Sequence, residues 1–175
     1  MKAILLAAGA LTLGLATTAL AATMTATVNT INATGIGAEI GTIQFTDTPQ
    51  GLRITPNLMG LPAGQRGFHI HENANCGPGQ RDGQSVAGLA AGGHYDPART
   101  GKHMGPQHTD GHRGDMPTLI VGADGRATEA VVAPHLKTDD LAGRSVMVHA
   151  GGDNYSDQPE PLGGGGGRIA CGLIK

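Results

Sequence analysis

The chain has 175 residues and a formal net charge of −2; 30 residues are glycine, only 2% are aromatic and none is tryptophan. A chain of this size makes one domain around one core, and its charge offers no basic face to nucleic acid or anionic lipid. Few aromatics and abundant glycine suit short strands joined by many turns and long loops, with Val, Ile, Leu and Ala filling the core.

The chain begins MKAILLAAGALTLGLATTALA: one Lys2, an apolar run of small residues, then Ala19-Leu20-Ala21. This pattern reads as a secretory signal peptide over residues 1–21, cleaved after Ala21, with one domain over 22–175. Thr12, Gly14, Thr17 and Thr18 interrupt the run and no stop-transfer charges follow, which argues against a membrane anchor. Loss of Lys2 takes the formal charge to −3.

Strand period follows. Met24, Ala26 and Val28 alternate with Thr25, Thr27 and Asn29; Ile43 and Phe45 alternate with Thr42 and Gln44. Leu52 and Ile54 repeat the pattern after Pro49-Gln50-Gly51. Within GFHIHENANC, Phe68 and Ile70 point to one face of a strand while His69 and His71 share the other. Glu72 reads as a local capping or pairing residue. Residues 73–116 are rich in Gly, Pro and His and show no periodicity. A structureless loop of that length is functional, disordered or stapled.

Beyond that loop, Asp124-Gly125 in PTLIVGADGRATEAVVAP is a strong hairpin signal between two strand-like runs. RSVMVHAG sets Val146 and Val148 on one face and Met147 and His149 on the other, a second non-periodic loop covers 151–167, and RIACGLI closes the chain. No segment carries a helical period. The expected fold is all-β, a β-sandwich or barrel of about eight strands with two long functional loops.

Eight histidines are spread through this pattern: 69, 71, 94, 103, 108, 112, 135 and 149. His94, His103 and His112 recur at intervals of nine, and Asp115 follows three residues later. Three imidazoles and one carboxylate suit a four-coordinate zinc that would fold the loop around itself. His69, His71 and His149, on neighbouring strand faces, offer the imidazole-rich set that copper takes. Spacing alone favours a metal site over a solvated surface without identifying the metal. Cys76 and Cys171, an isolated pair without a CxxC in an exported chain, favour a disulfide.

GFHIHE, GGHYDP, GKHMGP, GHRGD, MVHAGGDN and GGRIACG, with GTIQF and GLPAG upstream, closely resemble the copper-zinc superoxide dismutase family, bacterial periplasmic branch. The resemblance runs through almost the whole exported chain and implies an eight-stranded Greek-key β-barrel. It implies one copper on His69, His71, His94 and His149, and one zinc on His94, His103, His112 and Asp115, with His94 bridging the two ions. It further implies that Asp153 links His69 to His103, that Arg168 attracts the anionic substrate, and that Cys76 pairs with Cys171. The implied activity is dismutation of superoxide to oxygen and hydrogen peroxide by alternating reduction and reoxidation of copper, with His94 carrying a proton and zinc remaining structural. A periplasmic enzyme is expected, monomer or homodimer, binding neither nucleic acid nor, stably, membrane.

Some residues depart from this pattern. His108 and His135 match no ligand position and read as surface residues. The stretch SDQPEP, with Asp157 and Glu160, offers no lysine for steering, which leaves Lys102 and Arg113 as candidates. The rivals are a non-catalytic periplasmic copper carrier on the same fold and a zinc hydrolase. The hydrolase needs an open zinc position that three histidines and Asp115 would fill.

Overall fold

A computed structural model describes residues 21–175, so the expected signal peptide lies outside the described residues except for Ala21. Eleven strands form: β1 (Thr23–Asn32), β2 (Gly35–Thr48), β3 (Gly51–Leu58), β4 (Gly64–Arg66), β5 (Phe68–His71), β6 (Gly79–Arg81), β7 (Gln84–Val86), β8 (Leu119–Val121), β9 (Val131–Ala133), β10 (Ser145–His149) and β11 (Arg168–Ile174). Five of them, β4, β6, β7, β8 and β9, are only three residues long. The only helical pieces among the described residues are short 3-10 turns at Leu89–Ala91, Thr138–Asp140 and Leu162–Gly164. None is long and apolar enough to cross a membrane.

Seven strands make one antiparallel sheet in the order β5-β10-β11-β1-β2-β3-β9, and β4 pairs with β8. The sheet curls into a Greek-key β-barrel. Alternation explains its inside. Ala26 and Val28 of β1, Ile43 and Phe45 of β2, Leu52 and Ile54 of β3, Phe68 and Ile70 of β5, and Val146 and Val148 of β10 meet in one buried cluster. Burying each large apolar side chain contributes about 1.5–3 kcal/mol, which outweighs the weak intrinsic preferences of so glycine-rich a chain.

Two expectations need correction. Asp124-Gly125 does turn the chain, with Gly125 at φ +75° and its N–H bonded to the Gly122 carbonyl at 2.9 Å. The flanking strands nevertheless do not form a hairpin: β8 pairs with β4, and β9 pairs with β3. A turn signal reports local backbone conformation, whereas strand partners follow from which apolar face reaches the core. The first long loop is also not structureless, because β6 and β7 form a small hairpin inside it.

Candidate metal centre

His69 and His71 leave β5 on the face opposite Phe68 and Ile70, as strand alternation requires, and both are fully buried. Antiparallel pairing sets β10 beside β5, with Met147 opposite His69. His149, at the end of β10, bonds through its backbone N–H to the Gly67 carbonyl at 2.8 Å. The first long loop supplies the rest. His94 bridges back to His71, and Asp115 to His69, as isolated β-bridges.

Two groups of ligand atoms converge, each within 4.8 Å: His69, His71, His94 and His149, and His69, His94, His103 and Asp115. His94 belongs to both. The second holds His69 where His112 was expected, because the His69 ring stacks on His94 with centroids 3.9 Å apart. His112 stands slightly further out, its Nδ1 3.5 Å from Asp115 Oδ1.

The free atoms show what these groups suit. Nδ1 of His69, His103 and His112 and Nε2 of His71, His94 and His149 are buried with no hydrogen-bond partner. Two of these nitrogens, His103 Nδ1 and His112 Nδ1, face the Asp115 carboxylate at 2.9 and 3.5 Å; the other four face no acceptor. Four orphaned imidazole nitrogens, with two more gathered on a single carboxylate, would be costly in a protein without a cation between them. Imidazole with one carboxylate is the donor set of copper and zinc.

The opposite ring atoms of five of these six histidines are held, His112 being the exception. Asp153 accepts from His69 Nε2–H and His103 Nε2–H, each at 2.7 Å, and so ties the two groups together. Asp115 Oδ1 lies 2.9 Å from His94 Nδ1. His71 Nδ1–H donates to the Gly92 carbonyl at 3.0 Å, and His149 Nδ1–H to Gly166 at 3.3 Å. Outer partners of this kind fix the tautomer and aim the free nitrogen.

The electrostatics agree with that division. Burial, followed by the charge of His94, holds His69 and His71 well below the ordinary imidazole pKa, and the same causes bring His149 down to about 4. All three therefore present neutral lone pairs at neutral pH. Burial also lowers His103, but Asp115 and Asp153 outweigh it and raise that ring to about 9. Burial would raise Asp115 and Asp153; their imidazole partners instead hold both well below the usual carboxylate range.

Arg168, at the start of β11, is half-buried and anchored: Nη1–H donates to the Gly88 carbonyl at 2.6 Å and Nη2–H to Gly92 at 2.7 Å. The Cys76–Cys171 disulfide forms, its Cα atoms 5.6 Å apart, and ties the segment leading to Gly88 onto β11. Glu72 caps locally, accepting from Gly93 N–H at 2.9 Å. His108 is exposed, and His135 Nε2–H bonds only to the Gln107 carbonyl at 3.3 Å. Arg113 is taken up by Asp140 at 3.1 Å. Asp157 is not a loose acidic charge, since it accepts from the backbone N–H of His103 at 2.9 Å. The carbonyls of Gly88 and Gly92 were not foreseen; a main-chain acceptor leaves no mark on residue identity.

Residues 39–174 match the family described as copper/zinc superoxide dismutase. A superoxide dismutase [Cu-Zn] of Escherichia coli (strain K12) is 51% identical over 166 residues, covering 94% of this chain and 95% of that protein. Among solved structures, the Cu/Zn superoxide dismutase from Brucella abortus superposes with a TM-score of 0.86 at 52% identity, covering 88% of this chain and all of that one. The monomeric copper, zinc superoxide dismutase from Salmonella enterica gives 0.79 at 54% identity, again covering 88% of this chain and all of that one.

Proposed function

The chain belongs to the copper/zinc superoxide dismutase family, and on that premise we propose how its residues share the work of the activity. The protein is a copper-zinc superoxide dismutase: two superoxide anions and two protons become oxygen and hydrogen peroxide. His69, His71, His94 and His149 would hold copper; His94, His103, His112 and Asp115 would hold zinc. The observation that carries this assignment is the set of six buried imidazole nitrogens, one on each histidine named, four of them orphaned and two turned onto Asp115.

When bound, copper supplies the one-electron chemistry by alternating between two oxidation states, while zinc, which is redox-inert, holds the first loop. The protein supplies the rest. Arg168 attracts the anion and orients it beside the copper group, its guanidinium prevented from swinging away by the Gly88 and Gly92 carbonyls. His94 Nε2 is the atom placed to take a proton and pass it to the reduced substrate, because its Nδ1 faces the zinc side beside Asp115, where both would hold zinc. Asp153 keeps His69 and His103 aimed, so the two halves of the centre cannot drift apart.

Export to the periplasm through cleavage after Ala21 follows from the leader-like sequence of residues 1–21. There the enzyme would protect the cell envelope, and an oxidising compartment suits the disulfide. A monomer is the favoured state, since the Salmonella relative is described as monomeric.

The test is superoxide decay by the metal-free protein reloaded with zinc alone or with zinc and copper. Fast decay in the copper-containing sample alone supports the assignment. Stoichiometric copper binding without decay would instead support a copper carrier on this fold.

A further inference from the structure

Arg144 lies outside the proposed ligand sphere, yet it touches the chain neighbours of two proposed ligands. Its guanidinium carbon sits 3.5 Å from the centre of the Tyr95 ring, and Tyr95 follows His94. Nη1–H donates to the carbonyl of Glu72, which follows His71, at 3.1 Å. Nε–H donates to the Asp140 carbonyl at 2.7 Å. The side chain of Asp140 in turn holds Arg113, which follows His112, at 3.1 Å.

The base of this bracket is firm. Asp140 ends the 3-10 turn Thr138–Asp140, which is pinned to β2: Asp47 accepts from the Thr138 backbone N–H at 2.9 Å and from its hydroxyl at 2.7 Å. Tyr95 is fixed in the main chain as well. Its N–H donates to Ile70 and its carbonyl accepts from Gly114, both at 2.8 Å. A planar guanidinium can stack on a ring and fork onto two carbonyls at once, which an ammonium cannot. The Arg113–Asp140 pair is 44% exposed on its arginine side and adds less, because solvent screens it.

We propose that Arg144, braced by Asp140, is a positioning residue for the zinc half of the centre: it registers the segments carrying His71, His94 and His112 against the barrel before metal arrives. This rests on the reading that His94, His103, His112 and Asp115 hold zinc.

The test uses metal-free, disulfide-intact protein, with zinc affinity measured by chelator competition and cobalt(II) absorption reporting the geometry of the same site. Thermal unfolding of each metal-free variant separates folding from positioning. Arg144→Gln is expected to weaken zinc by about 10–100-fold, the usual effect of losing an outer partner, and to change the cobalt spectrum. Arg144→Lys is expected to recover only part of the loss. Should Arg144→Gln not fold, Tyr95→Leu carries the test, removing the stacked arm and expected to weaken zinc and shift the spectrum; Asp140→Asn keeps the main-chain carbonyl that Arg144 uses and removes only the link to Arg113, so its effect should be smaller. Folded variants with wild-type zinc affinity and spectrum would overturn the proposal while leaving the zinc assignment intact. A wild-type protein that takes no zinc would overturn both.

Discussion

Arg168 and His71 share one acceptor, the Gly92 carbonyl, which receives the guanidinium at 2.7 Å and the imidazole Nδ1–H at 3.0 Å. One main-chain oxygen thus sets both the cation proposed to draw superoxide in and a proposed copper ligand. Gly92 has φ +77°, and an added Cβ would strike the Glu72 carboxylate at 2.5 Å, so a glycine is required where that oxygen is presented.

Arg168→Ala is expected to lower kcat/KM by about 10–100-fold, losing one charge-assisted contact worth roughly 1.5–3 kcal/mol, while copper still binds. Arg168→Lys keeps the charge but not the fork onto two carbonyls, and should fall between the two. Steady-state kinetics alongside metal analysis checks this. Unchanged kcat/KM in the alanine variant would remove Arg168 from the mechanism.

Asp153→Asn should loosen His69 and His103 together and weaken zinc by about 10–100-fold, because both imidazoles lose their carboxylate at once. Gly163→Ala is expected to reproduce much of that defect without touching a functional group. Gly163 has φ +70°, and a Cβ there would collide with Asp153 Oδ1 and lie 2.9 Å from His103 Nε2. Zinc competition on both variants is the measurement; a Gly163→Ala protein with normal affinity would show that the loop yields without moving Asp153.

Acid should destabilise the metal-free fold more steeply than base. Folded His149 stays neutral down to about 4, and His69, His71 and His94 are also lowered. Unfolded, these groups titrate near 6.5, so as pH falls from there the unfolded chain takes up protons that the fold refuses, and stability drops. His103 works in the other direction: raised to about 9, its contribution is complete below 6.5 and is lost as pH rises through 9. Four groups oppose one, so urea midpoints should peak near neutrality and fall more sharply on the acid side. A midpoint that climbs between pH 6.5 and 5 would contradict this.

Opening the Cys76–Cys171 bridge, which spans a sequence separation of 95, should cost about 4–5 kcal/mol through the entropy returned to the unfolded chain. It should also free the segment bearing Gly88 and Gly92, so that activity falls before the fold does. Urea unfolding and activity of the Cys76→Ser/Cys171→Ser protein test the two effects separately.

Much of this was readable from residue order, because strand alternation is a property of the backbone itself. Phe68 and Ile70 inward with His69 and His71 on the opposite face needs only a period of two. The ligand types and the spacing of His94, His103, His112 and Asp115 were likewise visible, since metal chemistry selects a few side chains. Tertiary structure alone decided what joins these pieces. It gave β8 and β9 different partners despite Asp124-Gly125, because core burial outweighs a local turn preference. It brought Arg144 to Tyr95, whereas the Asp153 link to two histidines, 84 and 50 residues away in sequence, had been implied only through the family resemblance and not by spacing. It also turned the Gly88 and Gly92 carbonyls towards Arg168. Every residue carries a carbonyl, so only the folded path of the chain determines which one becomes part of a site.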